Sequence, residues 1–223
     1  MGFTFEWKVM IETFPLLLSG AKLTILITLV GLFFGFIIGA AAGLMKLSKH
    51  LFFRKMGGVY VESIRGTPLI VQVMFLYFGI PMAVGMRISP ITAGIVAIAV
   101  NSGAYIAEIV RGAVQSIDVG QIEAGRSIGL TRTQTMRYII WPQAFRRMIP
   151  PLGNQFIISL KDTSLLVVIG VAELTRVGQE IIAVNFRAFE VWLTVGVAYL
   201  MMTLSIARVL KMTEERLEKR TAR

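Results

Sequence analysis

Leu23–Leu44 reads LTILITLVGLFFGFIIGAAAGL, without one charged residue, and it matches the ~20 residues a helix needs to cross about 30 Å of hydrocarbon. Lipid offers no water to unpaired backbone N–H and C=O groups, so such a run is viable as a helix that bonds its own backbone. Working outward, similar runs cover Gly66–Met86, Ile88–Ala107 and Met148–Ala172, the last broken only by Lys161 and Asp162, and a shorter one covers Val191–Ala207. The fold class expected is therefore all-α, a polytopic membrane protein with five transmembrane helices in which residues 1–223 form a single transmembrane domain. The composition agrees, with 55% hydrophobic and 16% charged residues among 223.

The net charge of +10 is informative through its placement relative to the spans. Alternate connections and the C-terminal tail hold most of the basic residues: Lys46, Lys49, Arg54 and Lys55; then Arg111, Arg126, Arg132, Arg137, Arg146 and Arg147; then Arg208 onward. The opposite side holds Lys8, Arg87, Arg176 and Arg187. Basic residues mark the cytoplasmic side, so the N-terminus is expected outside and the C-terminus in the cytoplasm, with no nucleic acid as partner. Glu6 and Glu12 precede the first run where a secretory signal would carry basic residues, so that span is expected to be retained. With no cysteine and only His50, neither a disulfide framework, thiolate chemistry nor a Cys/His metal site is expected.

Gly31, Gly35, Gly39 and Gly43 recur every fourth residue, leaving one helix face bare for a neighbouring helix, either within the chain or in a second copy. The second span opens with ESIRGTPLIVQ, where Gly66 and Pro68 can bend the helix and Arg65 can reach the interface with Glu62 as its partner. Polar residues then occur at depth. Asn101 lies about eleven residues past Pro90, roughly 16 Å along a helix, and Lys161 and Asp162 lie roughly 15 Å into the fourth span. Groups that are costly in lipid belong on a bundle interior or a water-filled path, which makes Gln72, Asn101, Ser102, Lys161 and Asp162 the candidate substrate pathway. The structural alternative has Lys161 and Asp162 bracing the bundle through separate partners.

Residues 112–149 form a polar connection on the cytoplasmic side. Asp118-x-x-Gln121 and Thr131-x-x-Gln134 both read as helix starts, with a side-chain cap and a glutamine reaching back. Gly129 falls where the first helix ends, since glycine enters the left-handed region at no steric cost. A pair of short helices is expected, held to the bundle by Ile122, Ile128, Met136, Ile139 and Ile140, its solvent side a docking surface.

Here the residues resemble a known family. Glu123-Ala124-Gly125, then Gly129, Ile139 and Trp141-Pro142, match the EAA loop of ATP-binding-cassette importer permeases in spacing, with Gly125 for the second alanine and Trp141 for a leucine. ESIRGTPLIVQ, GAYIAEIVRGAVQSI, GQIEAGRSIGL, WPQAFRR, LGNQFIISLKDTSLL and GVAEL are similar to the polar amino acid branch of that family. The resemblance implies a subunit that pairs with a second permease, docks two ATP-hydrolysing subunits on its loop and receives an amino acid from an external binding protein in a prokaryotic inner membrane. It also implies that Glu123, Ala124, Gly125, Arg126, Gly129 and Arg132 carry the coupling to the ATPases. The chain contains no G-x-x-x-x-G-K-[ST] stretch, so ATP and magnesium are expected on the partner and this chain is not an enzyme.

A symmetric homodimer is expected ahead of a pair with a paralogue. Near the outer end Glu173, Glu180 and Glu190 outnumber Arg176 and Arg187, which favours a basic solute such as arginine, histidine or lysine, with glutamine also in range. Two other classes stand as alternatives: a secondary transporter driven by an ion gradient, which would be expected to show internal repeats, and a non-transporting scaffold.

Overall fold

The computed structural model describes residues 4–221, with side-chain surroundings through Arg216. Helix α1 (Trp7–Leu47) is 41 residues long, roughly 60 Å at 1.5 Å per residue, so it extends past the membrane instead of starting at Leu23. Helices α2 (Leu51–Arg65) and α3 (Leu69–Met74) meet at Thr67–Pro68, and α3 continues through a π-helical stretch, Phe75–Gly79, into α4 (Ile80–Val84). The two arms are bent by 102°. The second span is thus a broken one, as Gly66 and Pro68 lead one to expect: proline cannot donate in a helix and restricts the residue before it. Counting this pair as one gives five spans, the others being α1, α5 (Pro90–Gln115), the run Arg132–Ile169, and α10 (Ala188–Thr221).

The glycine seam meets α5 of the same chain. A Cβ on Gly31 would lie 2.7 Å from Ile98 Cγ2, one on Gly39 would lie 2.6 Å from Ile106 Cβ, and one on Gly43 would lie 2.8 Å from Val110 Cβ. Gly35 faces Ser102 Oγ in the same row. Two four-residue periods therefore mesh, bare positions on α1 against side chains of α5, which lets the backbones approach closely. The seam is used up inside the chain and gives no support to a dimer contact.

In the connection after α5, α6 (Val119–Ser127) is short, as expected, but its companion is not. Helix α7 (Arg132–Thr135) passes through a second π-helical stretch, Met136–Ile140, directly into α8 (Trp141–Asp162), which tightens to a 3₁₀ segment at Thr163–Ile169. Both π stretches come just before a proline, Pro81 and Pro142. The wider turn accommodates a residue with no N–H and a bulky ring, so Pro142 shifts the hydrogen-bond register without ending the helix.

Residues 173–190, expected only as a connection, contain α9 (Leu174–Asn185). The Glu173 carboxylate caps it, accepting from the N–H of Thr175 at 3.0 Å and of Arg176 at 2.9 Å. It ends on Phe186 at φ 58°, left-handed without a glycine to announce it. Between the helices Ile27, Val73, Ala97, Ile98, Leu166 and Ile169 build one buried core. Phe33, Val59 and Leu204 remain exposed on the outer face, as suits side chains turned to lipid.

Candidate functional site

The chain positions two groups of residues. The first is the polar loop between α5 and α8. Asp118 caps α6 by accepting from Gly120 N–H at 2.6 Å, but the reciprocal half of the expected box is missing, because the Gln121 side chain accepts instead from Gln143 at 3.3 Å. At Thr131 the box is complete: its hydroxyl accepts from Gln134 N–H at 3.3 Å, and the Gln134 side chain accepts from Thr131 N–H at 2.8 Å. Gly129 turns at φ 86°, and Leu130 N–H returns to Gly125 O at 3.1 Å. Gly125 itself is buried where a Cβ would lie 2.8 Å from Ile139 Cδ1 and 2.9 Å from Thr135 Cγ2. That contact explains a glycine in place of the motif's alanine.

Of the five anchors expected, Ile140 is buried and Met136 and Ile139 pack on the core around Ile106, Val110 and Met148. Ile122 is 38% and Ile128 76% exposed, so these two face outward. Helical periodicity places Ile128 beside the polar face, and Gly129 begins the turn immediately after it. Glu123, Ala124, Arg126 and Arg132 are all exposed with Ile128, and among the described residues none of these charges forms an ion pair. An open surface of one carboxylate, two guanidiniums and an apolar side chain suits a protein partner. The loop's ends are tied together where the Arg147 guanidinium donates to Ser116 O at 2.5 Å and to Ser116 Oγ at 2.9 Å.

The second group lies within the spans. Asn101, 7% exposed, donates through Nδ2 to Gln72 Oε1 at 3.0 Å. Gln72 Nε2 in turn donates to Ile64 O at 2.7 Å and to Thr67 O at 3.0 Å. One amide thus caps the broken end of α2 and holds the partner of the α5 amide. Ser102 is fully buried in the seam against Gly35 and stands apart from this pair. Lys161 and Asp162 end α8 where it becomes 3₁₀; the Lys161 carbonyl accepts from Thr163 N–H, while neither side chain forms a hydrogen bond or ion pair among the described residues. The 3₁₀ stretch closes the helical run, as tightened turns commonly do at a helix C-terminus, and ends at left-handed Gly170, φ 77°. Val73 on α3 shares a core with Leu166 and Ile169 just beyond that point, so the amide pair and the α8 break belong to one packed unit.

Arg65 pairs with Glu108 and not with Glu62. Glu108 accepts Lys46 Nζ at 2.5 Å and Arg111 Nη2 at 2.6 Å, with Arg65 Nη1 at 3.9 Å. This junction between α1, α2 and α5 had no single-segment signature, because Lys46, Arg65 and Glu108 are far apart in sequence. At the end of the bundle expected to face outward, Glu173 and Glu190 are 0% and 1% exposed, while Glu180 pairs with Arg176 at 2.9 Å. The acidic excess there is spent on caps and internal pairs, which removes the basis for preferring a basic solute.

The family model for the binding-protein-dependent transport system inner membrane component matches residues 31–221. The chain belongs to that family. Among the curated permeases it resembles the glutamine transport system permease protein GlnP of Escherichia coli (strain K12), 54% identical over 215 residues that span 96% of this chain and 98% of that one. The L-cystine transport system permease protein TcyB of Bacillus subtilis (strain 168) is 37% identical across 100% of this chain and 96% of its own. A crystal structure of an amino acid ABC transporter with histidines matches at a TM-score of 0.91 and 41% identity, covering 96% of this chain and 100% of that one. This permease is thus a membrane subunit and not an enzyme, and its all-helical bundle is the family's fold.

Proposed function

We propose that the chain is the permease subunit of an ATP-driven amino acid importer, that glutamine is its substrate, and that Gln72, Asn101, Lys161 and Asp162 line the path. Identity to a glutamine permease over nearly the whole chain supports the choice of solute. Amides and a lysine offer donors for an α-carboxylate, and Asp162 offers an acceptor for an α-ammonium group. Ser102 contributes by packing α5 on α1. The chain works as a symmetric pair in a prokaryotic inner membrane, with its N-terminus outside, an external binding protein on that side and two ATPase subunits in the cytoplasm. ATP and magnesium belong to those subunits, since this chain has no phosphate-cradling loop.

The observation that carries this reading is the continuity of the helical run from Arg132, on the exposed loop, to Asp162 at the 3₁₀ break. A helix without an intervening loop transmits displacement, so moving the docking surface re-angles the span and the 3₁₀ end that follows it. Glu123 and Arg126 on α6 and Arg132 at the start of that run meet the ATPase. Asn101→Ala and Asp162→Asn in the reconstituted transporter test the pathway. Uptake of radiolabelled glutamine should fall in both, with arginine and glutamate poor substrates of the parent. Parent-like uptake by both assembled variants would remove the pathway assignment, and preferred uptake of glutamate or arginine would remove the solute.

A further inference from the structure

Glu108 faces more positive charge than it can neutralise. Lys46 occupies one carboxylate oxygen at 2.5 Å, and Arg111 brings two donors to the other at 3.0 Å and 2.6 Å. Arg65 is left at 3.9 Å with its side chain 44% exposed, and its guanidinium lies 5.1 Å over the Tyr105 ring. Among the described residues no other carboxylate meets it. Aromatic stacking fixes the plane of a guanidinium and leaves its edge donors free for a planar anion.

The location matters as much as the charge. Asn101, Tyr105 and Glu108 follow at spacings of four and three, so they form one stripe on α5. A neighbouring row about 110° round the helix, Ile98, Ser102, Ile106 and Val110, is covered by the glycines of α1, so Asn101, Tyr105 and Glu108 lie beside the seam and not in it. Tyr105 is about one turn, roughly 6 Å, to the cytoplasmic side of Asn101. Arg65 also ends α2, the arm whose Ile64 carbonyl is capped by Gln72. An under-neutralised guanidinium thus sits one turn beyond the Gln72–Asn101 pair, on the same bend.

We propose that Arg65 binds the α-carboxylate of the amino acid at a second station, on the cytoplasmic side of the midplane pair. The inference rests on reading that pair as part of the path. A solute leaving the amides exchanges them for a charge-assisted contact, and Glu108 keeps the cation from holding it too tightly by competing for the same donors. Arg65 also lies close to a helix C-terminus, where a cation is favourable in its own right, so the test must separate carboxylate recognition from support of the bend.

The experiment measures binding of radiolabelled L-glutamine to the solubilised complex of permease and ATPase, without the binding protein, in competition with L-glutaminamide, which keeps the ammonium but lacks the carboxylate. The parent should prefer glutamine by about 10- to 100-fold, the worth of one charged hydrogen bond. Arg65→Gln should abolish that preference while leaving the amide's affinity in place, and Arg65→Lys should keep part of it. Damage to the bend would weaken both ligands alike and leave the ratio intact. A parent-like ratio in Arg65→Gln, no preference in the parent, or no glutamine binding by the parent overturns the proposal. Asn101→Ala separates the two readings: if it changes neither affinity while Arg65→Gln removes the preference, the midplane pair fails and the carboxylate site stands alone.

Discussion

Gly39→Ala adds one methyl group to the seam between α1 and α5. Its Cβ would lie 2.6 Å from Ile106 Cβ and 2.7 Å from the Gly103 carbonyl oxygen, whereas carbon atoms pack best at about 3.5–4.0 Å. Neither neighbour is the free end of a flexible chain, so the helices must separate by nearly ~1 Å along their closest line. Overpacking of this kind costs about 1–3 kcal/mol, and alanine recovers about 0.5–1 kcal/mol of helix propensity, for a net loss centred on about 1 kcal/mol. Gly112, on the same α5, has nothing within 4 Å of its added Cβ, so Gly112→Ala should gain that ~0.5–1 kcal/mol with no offset. The two variants should move the midpoint of thermal loss of the solubilised permease in opposite directions, read by fluorescence-detected size exclusion. A Gly39→Ala midpoint equal to or above the parent's would refute the seam.

Glu123→Lys reverses the one carboxylate on the exposed coupling surface, and ATP-dependent uptake should fall by at least about tenfold if a single charged contact of ~1.5–3 kcal/mol is lost; glutamine binding to the permease should be unchanged, and parent-like uptake would dismiss the docking assignment. Gly129→Ala forces a side chain into φ 86° at a cost of about 1–2 kcal/mol, so α6 should loosen and coupled ATPase activity drop, whereas an unaltered ATPase rate would mean that the turn is not needed for transmission. Thr133→Cys in this cysteine-free chain should resist an impermeant thiol reagent in intact cells and react after permeabilisation; labelling from outside would reverse the topology.

The spans were legible because twenty apolar residues in a row have few alternatives, and the loop because its caps and its left-handed glycine are local devices. Gly129 and Thr131–Gln134 act as their residue types dictate. What sequence spacing could not convey was the pairing of distant residues. The glycine period at Gly31–Gly43 announced a close helix contact but not that Ile98, Ser102, Ile106 and Val110 fill it. Arg65 has Glu62 three residues away, yet the bend turns it to Glu108. The second loop helix was expected to be short, and the π turn before Pro142 carries it on into α8. Helix α9 was missed because its cap is a buried glutamate and its terminus a left-handed phenylalanine, both uncommon in those roles. The acidic outer residues misled for a related reason, since counting charges does not reveal which are enclosed.

The central claim is that this permease moves its solute only when a separate ATPase drives the cytoplasmic loop. Proteoliposomes containing the permease, with the partner ATPase and ATP on the cytoplasmic face and the binding protein loaded with radiolabelled glutamine on the other, test it directly. Uptake should require all of these components and stop when ATP is withheld, whatever ion gradient is imposed. Accumulation by the permease alone under a proton or sodium gradient would contradict the account.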